Sequence, residues 1–398
     1  MTEKLYMINS YLNEVEGKVL LNRKVGDEYH TILDKTIFYP DGVGGQRGDK
    51  GWINDVIVEK SIEKDGKIIH ITKDKIPGST ALVKIDWEHR FQIMQQHTAQ
   101  HIISSCFHRL FDIPTISFHA SDGFITIDLD TDYLENYETE KVEELANTIV
   151  QNNFLVKSYF PKEEDKSKID FRKSPKVNKN LRVVEIDSID YSACGGTHVN
   201  YTGELGLLKI IEIYKQNGKA RVKVLVGKES LLDYTKKNNI VYNLAEKLSA
   251  NSDNLIEKFD MHVESKISLS ENYASLKNSF FQLLKENSMT NLEHLGNYKL
   301  LFENFYRLNF SEAINYSKFF EEDNIILILY HQNNELVQFL IKPCGNTTIN
   351  MELLMDRLKN KYNLRGGGNK KLLQGIIYIS KNENVIDIFR NELENLNI

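Results

Sequence analysis

The rhythm of hydrophobic and polar positions changes twice along the chain. Over residues 14–87, short β-prone runs ("GKVLLN", "EYHTIL", "VIVEKSIEKDGKIIHITKD") are separated by Gly and Asp turns, the last a hairpin around "KDGK". Helical periodicity takes over from about Trp87 to Leu110. "PTISFHA" and "GFITIDLD" then read as paired strands around a Ser-Asp-Gly turn. A helix at about 136–152 follows, and strands in "FLVKSYF", "LRVVEID", "ELGLLKIIEIYK" and "ARVKVLVGK". From Glu229 to about Asn287 there is no Gly or Pro, and apolar residues recur at three- and four-residue spacing. This predicts one long helix, or two with a break near "SANSDN", whose narrow apolar stripe suits a hairpin or a dimer seam. Beyond it come a hairpin "LILYHQNNELVQFLI", a helix "NMELLMDRLKNKY", an "RGGG" loop, a strand "GIIYIS" and a closing helix. The predicted class is α+β. Its parts are a β-barrel-like N-terminal domain (1–87), a mixed α+β domain (88–228), a helical linker or hairpin (229–288) and a small C-terminal α/β domain (289–398).

Composition narrows the setting. At 398 residues the chain is long enough for two or three cores, and 41% hydrophobic with 27% charged residues is the balance of a globular protein. No apolar run approaches the roughly 20 residues that span a bilayer. The start "MTEKLYMINS" has no secretory pattern, and three cysteines cannot pair fully, so reduced thiols in a cytoplasm are expected. A net charge of −6 argues against non-specific nucleic-acid binding by the whole surface, but not against binding by a local basic face.

The candidate chemistry sits in two short motifs. In "HTAQH", His97 and His101 share a helical face at i and i+4. The spacing is that of a metalloprotease helix, but Thr98 stands where that motif needs Glu, which argues against peptide hydrolysis. In "CGGTH", Cys194 and His198 are again four apart, and Gly195 and Gly196 let the backbone curl so that both side chains meet one point. Two imidazoles, a thiolate and a third imidazole make a tetrahedral set suited to Zn²⁺. Either pair alone is explained as well by a solvated helix or a buried cysteine before a turn. Asp187 and Asp190 could orient the ligands, though a charged turn is the better account of either. Cys106 reads as a small buried hydrophobe, and Cys344 has no partner motif.

"HTAQH" followed about a hundred residues later by "CGGTH" resembles the editing domain of alanyl-tRNA synthetase, shared with threonyl-tRNA synthetase and with freestanding AlaX-type editing proteins. "FYPDGVGGQRGDKG" is similar to their Gly-rich motif, with one extra residue and Val43 among the glycines. "YTGELGLLKI" resembles the segment after their second metal pair, and "RGGGNKKLLQG" the DHHA1 domain of the long form. The resemblance implies that 88–228 is a zinc-containing editing domain. It implies hydrolysis of the ester of tRNA(Ala) mischarged with serine, or with glycine. The zinc, on His97, His101, Cys194 and His198, would activate ester or water, or anchor the substrate. By the same resemblance, His119 in "SFHASDG" borders the editing pocket. Thr36 and Gln46 are candidates for contacting the serine hydroxyl or the terminal adenosine. A full synthetase is not expected, since the chain opens directly in the β-rich segment and has no P-loop. A phosphoesterase of the Asp-His-His type lacks its signature. A zinc-stabilised tRNA-binding module without catalysis stays open.

An acidic protein that holds tRNA needs local cations. "FRKSPKVNKNLR" supplies Arg172, Lys173, Lys176, Lys179 and Arg182, and "YKQNGKARVKVLVGK" supplies Lys219, Arg221 and Lys223. Around the glycines Gly366, Gly367 and Gly368 lie Lys359, Lys361, Arg365, Lys370 and Lys371, where a turn would offer backbone N–H groups to phosphate. The related domain in the family binds the tRNA body and dimerises, so a homodimer through the helical linker and C-terminal domain is expected.

Overall fold

The computed structural model describes residues 2–175, 180–306 and 308–396. Its contacts divide the chain into two compact units, Met1–Leu244 and Ala245–Ile398.

The first unit opens with a six-stranded antiparallel ring. In order around it, the strands are Glu14–Val25, Glu28–Leu33, Lys67–Thr72, Val56–Lys64, Gly51–Ile53 and Thr80–Ile85, which pairs back with the first to close a barrel. Alternation of buried and exposed residues in "TALVKI" and "KIIHIT" sends one face inward, where Leu33, Ile37, Phe38, Ile53, Val58 and Val83 pack. His70 lies in this interior, fully buried, and burial lowers its pKa to about 4.

Helix α1, Trp87–Phe111, leaves the barrel through an Asp86 N-cap that accepts from His89 N, and ends at Asp112 in the left-handed conformation. Almost every residue from Ile93 to Phe107 is buried, so α1 is a central element rather than a surface helix. Arg90 moors it to the barrel. Fully buried, it forks onto the Asp49 carboxylate and donates to Ser10 O (2.8 Å) and Ile37 O (2.6 Å). One side of α1 packs on a four-stranded antiparallel sheet, ordered Leu208–Gln216, Lys219–Val226, Ile125–Leu129, Thr115–Ala120. Helix α2, Asn136–Gln151, joins the same core. A three-stranded sheet of Val156–Tyr159, Val183–Ile186 and Asp190–Ala193 brings the "CGGTH" loop alongside.

Helix α3, Lys228–Lys247, carries the boundary between the units. The second unit begins with α4, Leu255–Ser288, so the expected break falls at residues 248–254. A six-stranded sheet follows, ordered Glu293–Leu295, Tyr298–Asn304, Ile325–Asn333, Leu336–Pro343, Leu372–Tyr378, Arg365–Asn369. Helices α5 (Phe310–Ser317), α6 (Met351–Tyr362) and α7 (Val385–Glu394) complete it. The "RGGG" stretch is a correction to the expected loop. Residues Arg365–Asn369 form the edge strand, paired in register with Leu372–Tyr378, and the cationic Lys370–Lys371 pair is the hairpin tip. Glycine serves close approach here, since a Cβ on Gly366 would meet Gln374 O at 2.2 Å. Among the described residues, no helix is long and apolar enough to cross a membrane.

Candidate metal centre

His97 and His101 project from adjacent turns of α1, and Cys194 and His198 from the loop that follows Asp190–Ala193. Their ligand atoms all lie within 4.8 Å of one another. Cys194 Sγ is 3.4 Å from both His97 Nε2 and His198 Nε2. Tetrahedral zinc with bonds of about 2.3 Å to sulfur and about 2.0 Å to nitrogen would hold S and N about 3.5 Å apart, so these pairs stand at bonding separation.

The outer nitrogens explain why the inner ones converge. His97 Nδ1 donates to Gln46 Oε1 (2.8 Å), an oxygen that also accepts from Thr197 N (2.9 Å). His101 Nδ1 donates to the Asp190 carboxylate (2.9 Å). His198 Nδ1 donates to Thr98 Oγ1 (3.0 Å), whose own proton goes to Met94 O (2.9 Å). Each acceptor holds a proton on Nδ1, so the neutral form of each ring turns its Nε2 lone pair toward the others. Asp190 is further held by Arg172 Nε (2.6 Å) and Ser192 Oγ (2.7 Å).

The electrostatics follow the same geometry. Burial opposes a thiolate at Cys194, but His97, His198 and a hydrogen bond with His101 outweigh it and hold the thiol well below its ordinary value. Burial alone would lower His101, yet Asp190 and Cys194 overcome it and raise it to about 9. Burial and the neighbouring His97 push His198 down to about 3. A low-pKa thiolate among imidazoles is the donor set of a zinc site, and the residues present fit that ion.

The loop is held from behind. Arg182 donates to Cys194 O (3.0 Å), Gly196 O (2.8 Å) and Met7 O (3.1 Å). A Cβ on Gly196 would sit 2.1 Å from the His97 ring, so only glycine lets the chain pass there. The cluster floors a cleft of about 550 Å³ walled by Tyr39, Val43, Gly44, Gly45, Gln100, residues 115–118, residues 172–175 and residues 192–196. Gly42, Gly44 and Gly45 all take positive φ, which lets the Gly-rich loop fold over, and Tyr39 OH pins it at Val43 O (3.1 Å).

Several expected residues sit elsewhere. Thr36 is buried in the barrel, not in the cleft wall, and its hydroxyl bonds His70 Nε2 (2.9 Å) while accepting from Phe38 N (3.1 Å). His119 is exposed and outside the cleft. Its neighbour Phe118 faces in instead, stacked on His97 with centroids 5.5 Å apart. Gln46 is near the centre, as a support for His97 rather than a group at the wall. Asp187 is an exposed turn residue, whereas Asp190 accepts from the His101 ring. Lys173 is exposed at the cleft mouth, but Arg172 and Arg182 are committed inward. Arg221 pairs with Asp128 and Lys223 lies over Phe124, so these two cations of the second basic cluster, both half-buried, are engaged within the protein. Lys176 and Lys179 lie outside the described residues. Thr98, Phe118 and Arg182 were missed as parts of the site. Thr98 was visible within "HTAQH" only as a missing Glu.

Residues 181–225, which hold Arg182 and the whole "CGGTH" loop, match the profile of the threonyl and alanyl tRNA synthetase second additional domain. The alanyl-tRNA editing protein AlaX-L of Pyrococcus horikoshii is 29% identical over 410 residues, covering 99% of this chain and 98% of that protein. The chain is thus similar over nearly its whole length to an AlaX-type alanyl-tRNA editing protein. The alanine–tRNA ligase of Methanococcus aeolicus is 30% identical over 391 residues, covering 94% of the chain but 41% of the ligase. The chain therefore spans about two fifths of such a ligase. The C-Ala domain of Aquifex aeolicus alanyl-tRNA synthetase is 14% identical, covers 26% of the chain and superposes with a TM-score of 0.22, too slight a likeness to define the fold.

Proposed function

We propose that this chain is a trans-editing aminoacyl-tRNA hydrolase that removes serine, and glycine, from mischarged tRNA(Ala). The observation that carries the reading is the preorganised ligand set on the floor of an open cleft, with three ring protons tied outward and a thiolate between them. A single apolar pocket separates alanine poorly from an analogue with an added hydroxyl or a missing methyl, so a second hydrolytic site restores fidelity.

Zn²⁺ held by His97, His101, Cys194 and His198 would polarise the ester or a water, or anchor the substrate while another group positions water. The chain's own residues supply the rest. Gln46, Thr98 and Asp190 keep the imidazoles aimed, and Arg182 keeps the loop in place. Phe118 shields the outer face of His97. Lys173, exposed in the cleft wall, would meet the acceptor-end phosphates. The Arg365–Lys371 hairpin, with its glycines Gly366, Gly367 and Gly368 and its Lys370–Lys371 tip, would meet the tRNA body, and binding would weaken steeply with salt. Homodimerisation through the helical segment is part of the same reading, supported by Ile256, Ile267, Leu276 and Leu283 exposed along α4.

The second reading is a zinc-stabilised tRNA-binding module, favoured by the count of four candidate ligands, which would fill a tetrahedral shell. Deacylation of seryl-, glycyl- and alanyl-tRNA(Ala) by the wild type and Cys194→Ala separates the two. Fast loss of serine by the wild type alone supports the hydrolase. Equal, negligible rates for every pair would leave only the binding module.

A further inference from the structure

Most polar side chains deep in the cleft have already spent their hydrogen bonds on the protein. Tyr39 OH donates to Val43 O (3.1 Å), Thr115 Oγ1 to Ser104 Oγ (2.7 Å), Ser117 Oγ to Asp128 (2.5 Å) and Ser192 Oγ to Asp190 (2.7 Å). The ring protons of His97 and His101 are committed as described.

Gln100 differs. It stands between the two ligand histidines on α1, is 8% exposed and lines the cleft. Its Nε2 donates to Ser104 Oγ (2.8 Å), one turn along the helix, and that hydroxyl is itself held by Thr115. The structure places the amide with its nitrogen turned toward Ser104. The carbonyl Oε1 has no partner among the described residues and is left to the cleft. An acceptor held this way, in a wall beside the reacting centre, selects for a ligand that carries a donor.

Two donors of a seryl ester could reach it, the α-ammonium and the side-chain hydroxyl. No carboxylate lines the cleft among the described residues, and the Cys194 thiolate in its wall is turned to the His97 and His198 rings, so the wall offers an ammonium no free counter-charge. A neutral amide oxygen matches a neutral hydroxyl. We infer that Gln100 Oε1 accepts the hydrogen bond of the seryl hydroxyl and thereby sets the preference for serine over alanine. With an alanyl group bound, the oxygen would lose water and gain nothing, a cost that a site built for a hydroxyl exacts from an analogue lacking one. The inference rests on the deacylase reading and names the residue that gives it specificity.

The test compares kcat/KM for seryl-, glycyl- and alanyl-tRNA(Ala) in the wild type, Gln100→Met and Ser104→Ala, with zinc content measured on each. Ser104→Ala removes no residue of the cleft wall but frees the amide to turn, and it also releases the Thr115 hydroxyl. With Thr115→Val run beside it as a control, it decides the matter should Gln100→Met lose its metal. The expected result is a fall of at least roughly tenfold in the seryl-to-alanyl ratio for Gln100→Met, and a fall in the same direction for Ser104→Ala. A ratio within about twofold of wild type in both variants, or an equal loss on all three esters, overturns the assignment. A wild type that hydrolyses none of the esters removes the deacylase reading and this inference together. An active wild type with unchanged ratios removes the inference alone.

Discussion

Replacing Asp190 by Asn tests whether the metal centre is built from its outer hydrogen bonds. Asp190 accepts three: from His101 Nδ1 at 2.9 Å, Arg172 Nε at 2.6 Å and Ser192 Oγ at 2.7 Å. Its carboxyl is held well below the usual range, because His101 and Arg172 outweigh the cost of burial. Asparagine keeps the volume but has one accepting atom, so an N–H would face at least one of the three donors. Losing charge-assisted bonds worth about 1.5–3 kcal/mol each, in a place where Arg172 has few other partners, costs about 3 kcal/mol of stability. At the metal, the freed His101 ring no longer has its proton fixed on Nδ1. Removal of such an outer partner weakens metal affinity about 10–100-fold, or roughly 1.4–2.8 kcal/mol. Zinc competition against a chromophoric chelator, with denaturant melts run on the same samples, reads both quantities. A zinc Kd within about twofold of wild type would refute the role given to Asp190, whatever happened to stability.

Three further outcomes are expected. Gly196→Ala drives a Cβ to 2.1 Å from the His97 ring and 2.6 Å from Gln46 Oε1, so the purified variant holds little zinc by elemental analysis. Arg90→Met strands the buried Asp49 carboxylate and lowers unfolding free energy by about 3–5 kcal/mol in urea titration. His70 is buried neutral with its pKa lowered from 6.5 to about 4, so acid favours the unfolded chain, which takes up the proton first. Its contribution to stability is therefore complete above pH 6.5 and is lost as pH falls from 6.5 to 4, by about 3 kcal/mol in all. Unfolding of His70→Gln beside the wild type at neutral pH and near pH 4.5 checks this. The gap between them narrows or reverses in acid, and a constant gap would count against it.

Local signals decided much. The i, i+4 spacing of His97 and His101 and the Cys194–His198 pair are short-range patterns, and the helix and glycine turn that present them follow from a few neighbouring residues. The period of apolar positions located α1 and α2, and the polar stretch "SANSDN" marked the gap between α3 and α4. What depended on distant partners was not legible. Which strands close the barrel rests on Glu14–Val25 meeting Thr80–Ile85, a long-range pairing no local pattern specifies. The three acceptors that aim the imidazoles come from residues 46, 98 and 190, brought together by packing alone.

Two misreadings show the physical reason. Side chains on a strand alternate faces, so His119 and Phe118 exchange roles on a parity that only the pairing with Ile125–Leu129 settles. "RGGG" has the composition of a turn, yet ladder bonds to Leu372–Tyr378 make it an edge strand, because glycine is also what a close backbone approach requires. The sequence by itself determined which atoms can bind a metal. The tertiary structure decided which way those atoms point, because orientation belongs to the hydrogen-bond partner across the fold and not to the ligand.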